Sequence, residues 1–284
     1  MAQLKPVDGT DVFLWKYLPS LALSAVALSI FSILTALLTW RVHKTKLWFC
    51  IPFVVGGMFQ VIGFGIRIAA HYYTNEIPPF VLQNIFILLA PVFYAASIYT
   101  VLGRLIRSVR ADRLSILPPK WMTVIFVTGD FVALSVQGNA AGLTAKENTR
   151  KVGESIIIGG LFIQIALFTF FVIAASVFHV RMRKDLKGRS DPPLTVPWKR
   201  GLHMIYACSA LIMFRSVFRA VEYIMGGDGY LLSTEWPMYA LDTLPMVAVQ
   251  AVFLVWFPDG FSDYERESGQ YMRLLFLKRK STPA

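Results

Sequence analysis

Seven long apolar stretches dominate this chain and leave little choice of fold. They run over about residues 18–40, 47–73, 79–103, 121–143, 155–180, 201–226 and 236–257. A helix needs roughly 20 apolar residues to cross the hydrocarbon core of a bilayer, and each stretch meets that length. The backbone dictates the rest. With no water in the bilayer, every N–H and C=O must be bonded within a helix or a closed barrel. A strand barrel needs alternating segments of roughly 10 residues, and the sequence offers none. The expected fold is all-α: an integral membrane protein with seven transmembrane helices forming one domain over 18–257. Charged residues supply 16% of the chain, against about 25% in a soluble domain, and most lie between the stretches.

The basic residues set the expected orientation. Lys and Arg number 20 in Arg41–Lys46, Arg104–Lys120, Arg181–Arg200 and the tail after Phe257, but only five at the other ends of the stretches. Cytoplasmic loops retain Lys and Arg. Residues 1–17 are therefore expected outside or in a lumen, and residues 258–284 as a basic cytoplasmic tail. The same asymmetry explains the net charge of +11 without a nucleic-acid partner. No cleavable leader is expected, because the first apolar stretch is long enough to span. The tail carries an apolar patch, Tyr271–Leu277, followed by Lys278, Arg279 and Lys280, a composition that suits either the anionic cytoplasmic leaflet or a disordered basic tail. Cys50 and Cys208 fall near cytoplasmic ends, where a structural disulfide is not expected.

Inside the stretches lie six charged residues: Arg67, Arg215, Arg219, Asp130, Glu222 and Asp242. Charge is costly in hydrocarbon, so such residues are usually paired and usually functional. Arg215, Arg219 and Glu222 stand at i, i+4 and i+7, on one helical face. With alternating spans, every charge but Asp130 lies towards the outer side. Four glutamines join them. Gln60 precedes Arg67 by seven residues, Gln137 follows Asp130 by seven, and Gln83 and Gln164 sit in the outer halves of their spans. The expectation is a polar cavity between helices, open to the outer side. A buried ion-pair lattice that fixes helix register is the competing reading. Gly56, Gly57, Gly63, Gly65, Gly159 and Gly160 are expected to let helices approach closely. Pro91 and Pro245 are expected to free backbone carbonyls.

Several chemistries find no support. There is no phosphate-binding G-x-x-x-x-G-K-[ST] loop, no H-E-x-x-H and no G-x-S-x-G. None of His43, His71, His179 and His203 lies mid-span. No catalytic activity, cofactor or metal is expected.

The polar residues and their surroundings resemble the fungal seven-span family named for resistance to aminocholesterol, also described as lipid-translocating exporters. The resemblance covers about Tyr17 to Pro258. It rests on Tyr17-Leu18-Pro19-Ser20 and on Gln60-Val-Ile-Gly-Phe64-Gly-Ile-Arg67. Span 3 adds Gln83, Leu89-Ala90-Pro91, Ala95-Ala96, Tyr99 and Gly103-Arg104. Further on come Gly129-Asp130, Gln137, Gly142, Gly159-Gly160-Leu161 and Gln164. The most specific stretch is Arg215-x-x-Phe218-Arg219-x-x-Glu222, with Gly226, Gly229, Glu235, Tyr239 and Asp242. Gln60 stands where the family pattern has an acid and Phe64 where it has a tyrosine, and Phe257-Pro258-Asp259 departs from its usual ending.

The resemblance implies translocation or export of amphipathic lipids, such as sphingoid bases or sterol-like compounds, and resistance to them. It implies residence in the plasma membrane, with an endomembrane as the alternative. A cationic head group would need Glu222 or Asp242; an anionic one would prefer Arg67, Arg215 or Arg219. A seven-helix sensor or receptor for a lipid-like ligand is the rival reading. Seven spans with an outward pocket and basic cytoplasmic loops also suit that role.

Overall fold

The computed structural model describes residues 15, 17–109, 111–143, 150–187, 198–226 and 229–258. The long helices are α1 (Leu21–Thr45), α2 (Ile51–Tyr72), α3 (Ile77–Ser108), α4 (Pro119–Leu143), α5 (Arg150–Lys187) and α6 (Trp198–Ile224). After a single turn, α7 (Tyr230–Ser233), a π-helical segment at Met238–Thr243 runs directly into α8 (Leu244–Val255). Seven segments are long and apolar enough to cross a membrane, the last being Met238–Val255. No strand occurs among the described residues. The chain is an integral, multi-pass, seven-helix membrane protein.

Local chemistry sets the helix ends. Ser20 caps α1, its Oγ accepting from the Leu23 N–H at 3.4 Å. Lys46 ends the same helix in the left-handed region at φ 57°. Pro52 opens α2 and prolines open α3, where a missing N–H costs nothing. Gly226, at φ 72°, closes α6, a conformation that a side chain resists. The last carbonyls of α8 receive guanidinium N–H groups, from Arg41 to Leu254 O at 2.6 Å and from Arg200 to Val255 O at 2.9 Å. Cations there also complement the helix dipole.

Helix α3 is the axis of the bundle. It packs against α2, α4 and α6, while α1 and α8 close the ring between α2 and α6, and α5 bridges α4 to α6. In its most apolar window 67% of residues are buried, against 28% in α1, α4 and α5, so the outer helices turn most of their surface to lipid. The α2–α3 seam is tight because of glycine. A Cβ on Gly56 would come within 2.9 Å of the Ala90 carbonyl, and one on Gly63 within 2.7 Å of the Ile87 side chain. Gly65 and Gly159 face open space, so the tight-packing expectation does not extend to them.

Aromatic rings cement the interior. Phe53 stacks on Phe253 at 3.8 Å and lies 4.6 Å from Tyr94. Exposed tryptophans and tyrosines gather at the helix ends. Trp40, Trp48 and Trp121 lie at one end of the bundle, and Tyr72, Tyr73, Tyr230 and Trp236 at the other. Rings with a polar edge favour these depths of a bilayer. Both cysteines are buried, and neither forms a disulfide. Residues 1–14, the 188–197 loop and the 259–284 tail, including its basic apolar patch, lie outside the described residues.

Candidate functional site

The intramembrane charges form two connected groups and one isolated carboxylate. The first group is built on α6 and the π-helical turn. Arg215 Nε pairs with Asp242 Oδ1, and Arg219 holds the other oxygen, Oδ2, at 2.5 Å. Arg219 reaches Glu222 Oε2 at 2.9 Å through its second terminal nitrogen. Two guanidiniums thus face two carboxylates, and the set is neutral. The helical spacing read from the sequence places Arg215, Arg219 and Glu222 together; the fold brings Asp242 to them.

Arg215 has a further partner. Its Nη2 donates to the Ile87 carbonyl of α3 at 3.3 Å. That carbonyl lies four residues before Pro91, the position from which proline withholds the usual helical N–H. The proline and the arginine therefore answer one another: the acceptor freed by Pro91 is satisfied from α6. Pro245 works differently. It opens α8 directly after the π-helical turn, where Thr243 Oγ1 donates to the Met238 carbonyl at 3.0 Å.

The second group surrounds Arg67 near the end of α2. Its guanidinium pairs with Glu235 at 2.9 Å and donates to Tyr239 Oη at 3.2 Å, Tyr17 Oη at 3.4 Å and Gln83 Oε1 at 3.5 Å. The rings of Trp15, Tyr17 and Tyr239 lie 5.5–5.9 Å from its central carbon, within cation–π range. Glu235 also accepts the Ser20 N–H at 2.8 Å. His71 Nδ1 meets the Pro19 carbonyl at 2.6 Å. The segment before α1 is thereby tied across the ends of α2 and the seventh span. Tyr239 and Asp242 both belong to the π-helical turn, so that turn serves both groups.

Asp130 stands apart. Tyr99 of α3 donates to its Oδ2 at 2.8 Å, and Oδ1 has no partner. Phe126, Phe168 and Phe171 pack around the Tyr99 ring. No cation pairs with Asp130 among the described residues. The three-against-three balance read from the sequence is thus not how the charges pair. Arg67 is answered by Glu235, which lies just before the seventh apolar stretch.

The glutamines divide likewise. Gln83 joins the Arg67 group. Gln60 is buried with its amide oxygen unpaired. Gln137 is half-buried against Gly160 with its amide nitrogen unpaired. Gln164 is half-buried on α5 and enters none of these bonds. Gln250 of α8 was not among the expected site residues. It donates to Tyr94 Oη at 2.7 Å, and its signal was a lone amide among the apolar residues 244–255.

The residues expected to line an outward polar cavity are mostly buried here. Arg67, Asp130, Arg215, Glu222, Asp242, Gln60 and Gln83 are all buried; Arg219 keeps a side-chain exposure of 13%. Each of the three guanidiniums has a carboxylate within reach. A groove of about 440 Å³ lies between α4 and α5, lined by Trp121, Ile125, Val132, Val136, Ile163 and other mostly apolar residues.

Residues 53–264 match the family described as RTA1 like protein. The chain belongs to this RTA1-like family. Among its relatives in Saccharomyces cerevisiae, Protein RTA1 is 36% identical over 208 residues, 73% of this chain and 65% of its own length. Protoporphyrin uptake protein 1 is 32% identical over 205 residues, 72% of this chain and 67% of its own length. Sphingoid long-chain base transporter RSB1 is 27% identical over 297 residues, 92% of this chain and 77% of its own length. The chain thus spans just under two thirds of the length of Protein RTA1. No solved structure matches it.

Proposed function

We propose that this chain translocates or exports amphipathic lipids with a cationic head, sphingoid bases foremost, and confers resistance to them. In this reading it catalyses no covalent reaction. It sits in the plasma membrane with its N-terminus outside and its C-terminus in the cytosol, the side richer in Lys and Arg.

One observation carries the reading: the two carboxylates of the α6 group are held unequally. Asp242 is gripped by two guanidiniums, whereas Glu222 has, among the described residues, only the Arg219 contact, on the most exposed member of the group. A lipid ammonium arriving from the bilayer competes for Glu222 against a single partner. Arg219 keeps Asp242 while it yields, so the exchange leaves no carboxylate unpaired. An ammonium on a long alkyl chain suits this place, since an uncompensated charge at this depth is costly. The name of the sphingoid base transporter among the relatives supports the same head-group chemistry.

The test is efflux of a labelled sphingoid base from cells expressing Glu222→Gln. Export should be abolished while the protein still reaches the membrane. Normal export by that variant would remove Glu222 from the mechanism. The burial of the charged groups also suits a sensor, which need not pass its ligand. A ligand-dependent change in cytoplasmic partner binding, with no lipid movement in liposomes, would decide for that alternative.

A further inference from the structure

The three carboxylates inside the apolar stretches differ in one respect that bears on energy coupling. Asp242 and Glu222 are committed to guanidiniums. Asp130 is equally buried, has a single neutral donor, and leaves one oxygen bare. An ionised carboxylate in such a place lacks the counter-charge that burial demands, and it resolves the conflict by taking a proton.

We propose that Asp130 and Tyr99 form a proton-binding site in the middle of the bundle, and that Asp130 carries the proton exchanged during transport. The proton resides on Oδ1, the bare oxygen, while Oδ2 continues to accept from the Tyr99 hydroxyl. On release the proton passes to water and leaves a carboxylate held by that same hydroxyl. No other bond forms or breaks.

The surroundings favour a proton over a metal or organic cation. From α3, the titratable group facing Asp130 is Tyr99. From α5, the Tyr99 cluster receives Phe168 and Phe171, which do not titrate. The rest of the fourth apolar stretch, residues 121–143, has no other charged residue. The guanidiniums of Arg215 and Arg219 are engaged by Asp242 and Glu222. Nothing described supplies the additional oxygen ligands that a hard cation requires. Sequestered among aromatic rings, the acid exchanges its proton only when the α3–α4 contact loosens, which is the behaviour a coupling site needs. One helical face of α4 extends the polar path: Gln137, seven residues on, also has an unpaired amide nitrogen.

The coupling role rests on the transport reading; proton binding does not. The first experiment is therefore infrared difference spectroscopy on the full chain in nanodiscs, between acid and alkaline pH. The carbonyl stretch of a protonated carboxylic acid should appear in the wild type, vanish in Asp130→Asn and shift in frequency in Tyr99→Phe. A band unchanged in Asp130→Asn would overturn the site. The second places the protein in liposomes with a labelled sphingoid base, with and without a pH gradient. Wild-type movement should respond to the gradient, and Asp130→Asn should give the same rate in both conditions. A gradient response retained by Asp130→Asn would overturn the coupling. Absence of any lipid movement by the wild type would sink the transport reading and the coupling together, while the infrared result would still decide the proton site.

Discussion

Asp242 and Asp130 are buried alike, each 1% exposed, yet the bundle treats them in opposite ways. Asp242 sits between two guanidiniums from α6, both its oxygens are used, and the neutral set also caps a carbonyl that Pro91 left free. Asp130 meets one phenol and a ring of phenylalanines. The contrast separates two answers to one problem. Charge in hydrocarbon is neutralised by a partner in the first region and, in our proposal, by a proton in the second. The first answer fixes helices against each other. The second leaves a group whose charge can change.

The largest effect should come from breaking the paired region. Arg215→Met leaves Asp242 with one cation and strands the Ile87 carbonyl, and removal of one member of a buried pair costs about 3–5 kcal/mol. Thermal unfolding in detergent, followed by tryptophan fluorescence, should show this loss; a midpoint close to wild type would mean that the lattice is not structural.

Arg219→Met should cost less, about 2 kcal/mol, because this side chain is partly exposed and Asp242 keeps Arg215. Adding Glu222→Met should restore most of that stability by removing the orphaned acid. Efflux should nevertheless stay abolished, which separates structure from function in the same residues. If the double variant is less stable than the single one, Glu222 has an additional structural partner.

Tyr99→Phe sharpens the other side of the comparison. Loss of a hydrogen bond to a neutral acid costs about 1 kcal/mol, whereas loss of the sole donor to an ionised carboxylate costs up to about 3 kcal/mol. Chemical unfolding from acid to alkaline pH distinguishes the two, and the larger value at every pH would contradict a protonated Asp130.

The smallest effect is expected from Asp130→Asn, under about 1 kcal/mol, since the amide oxygen still accepts from Tyr99. Its signature lies in pH dependence. If the folded state holds a proton at Asp130 that the unfolded chain has released, wild-type stability falls as pH rises through that titration. The variant should lose this component. Parallel stability curves for the two proteins all the way from acid to alkaline pH would count against the proton site.

Much of the candidate site was legible without coordinates. Helical spacing alone puts Arg215, Arg219 and Glu222 on one face, and alternating spans bring Arg67 and Asp242 to the same end of the bundle. Glu235 was missed as a site residue because it lies just outside the seventh apolar stretch, and a count of intramembrane charges stops one residue short of it. Tyr99 and Tyr239 were visible as parts of a family pattern, but nothing in their spacing assigns a phenol to a particular acid or guanidinium. Trp15 gave no signal, since its role depends on the segment before α1 crossing the end of α2.

By itself, the sequence determined seven membrane-crossing helices, because apolar length and backbone satisfaction in a bilayer admit no other fold for such stretches. It also determined which charges lie at membrane depth. Only the tertiary structure decided how they pair. Pairing depends on which helices touch and on rotations of a few tens of degrees about their axes, and hydrophobic patterning toward lipid constrains these weakly. The fold set α6 against the π-helical turn and α4 against α3. In doing so it gave Asp242 two cations and left Asp130, among the described residues, with none.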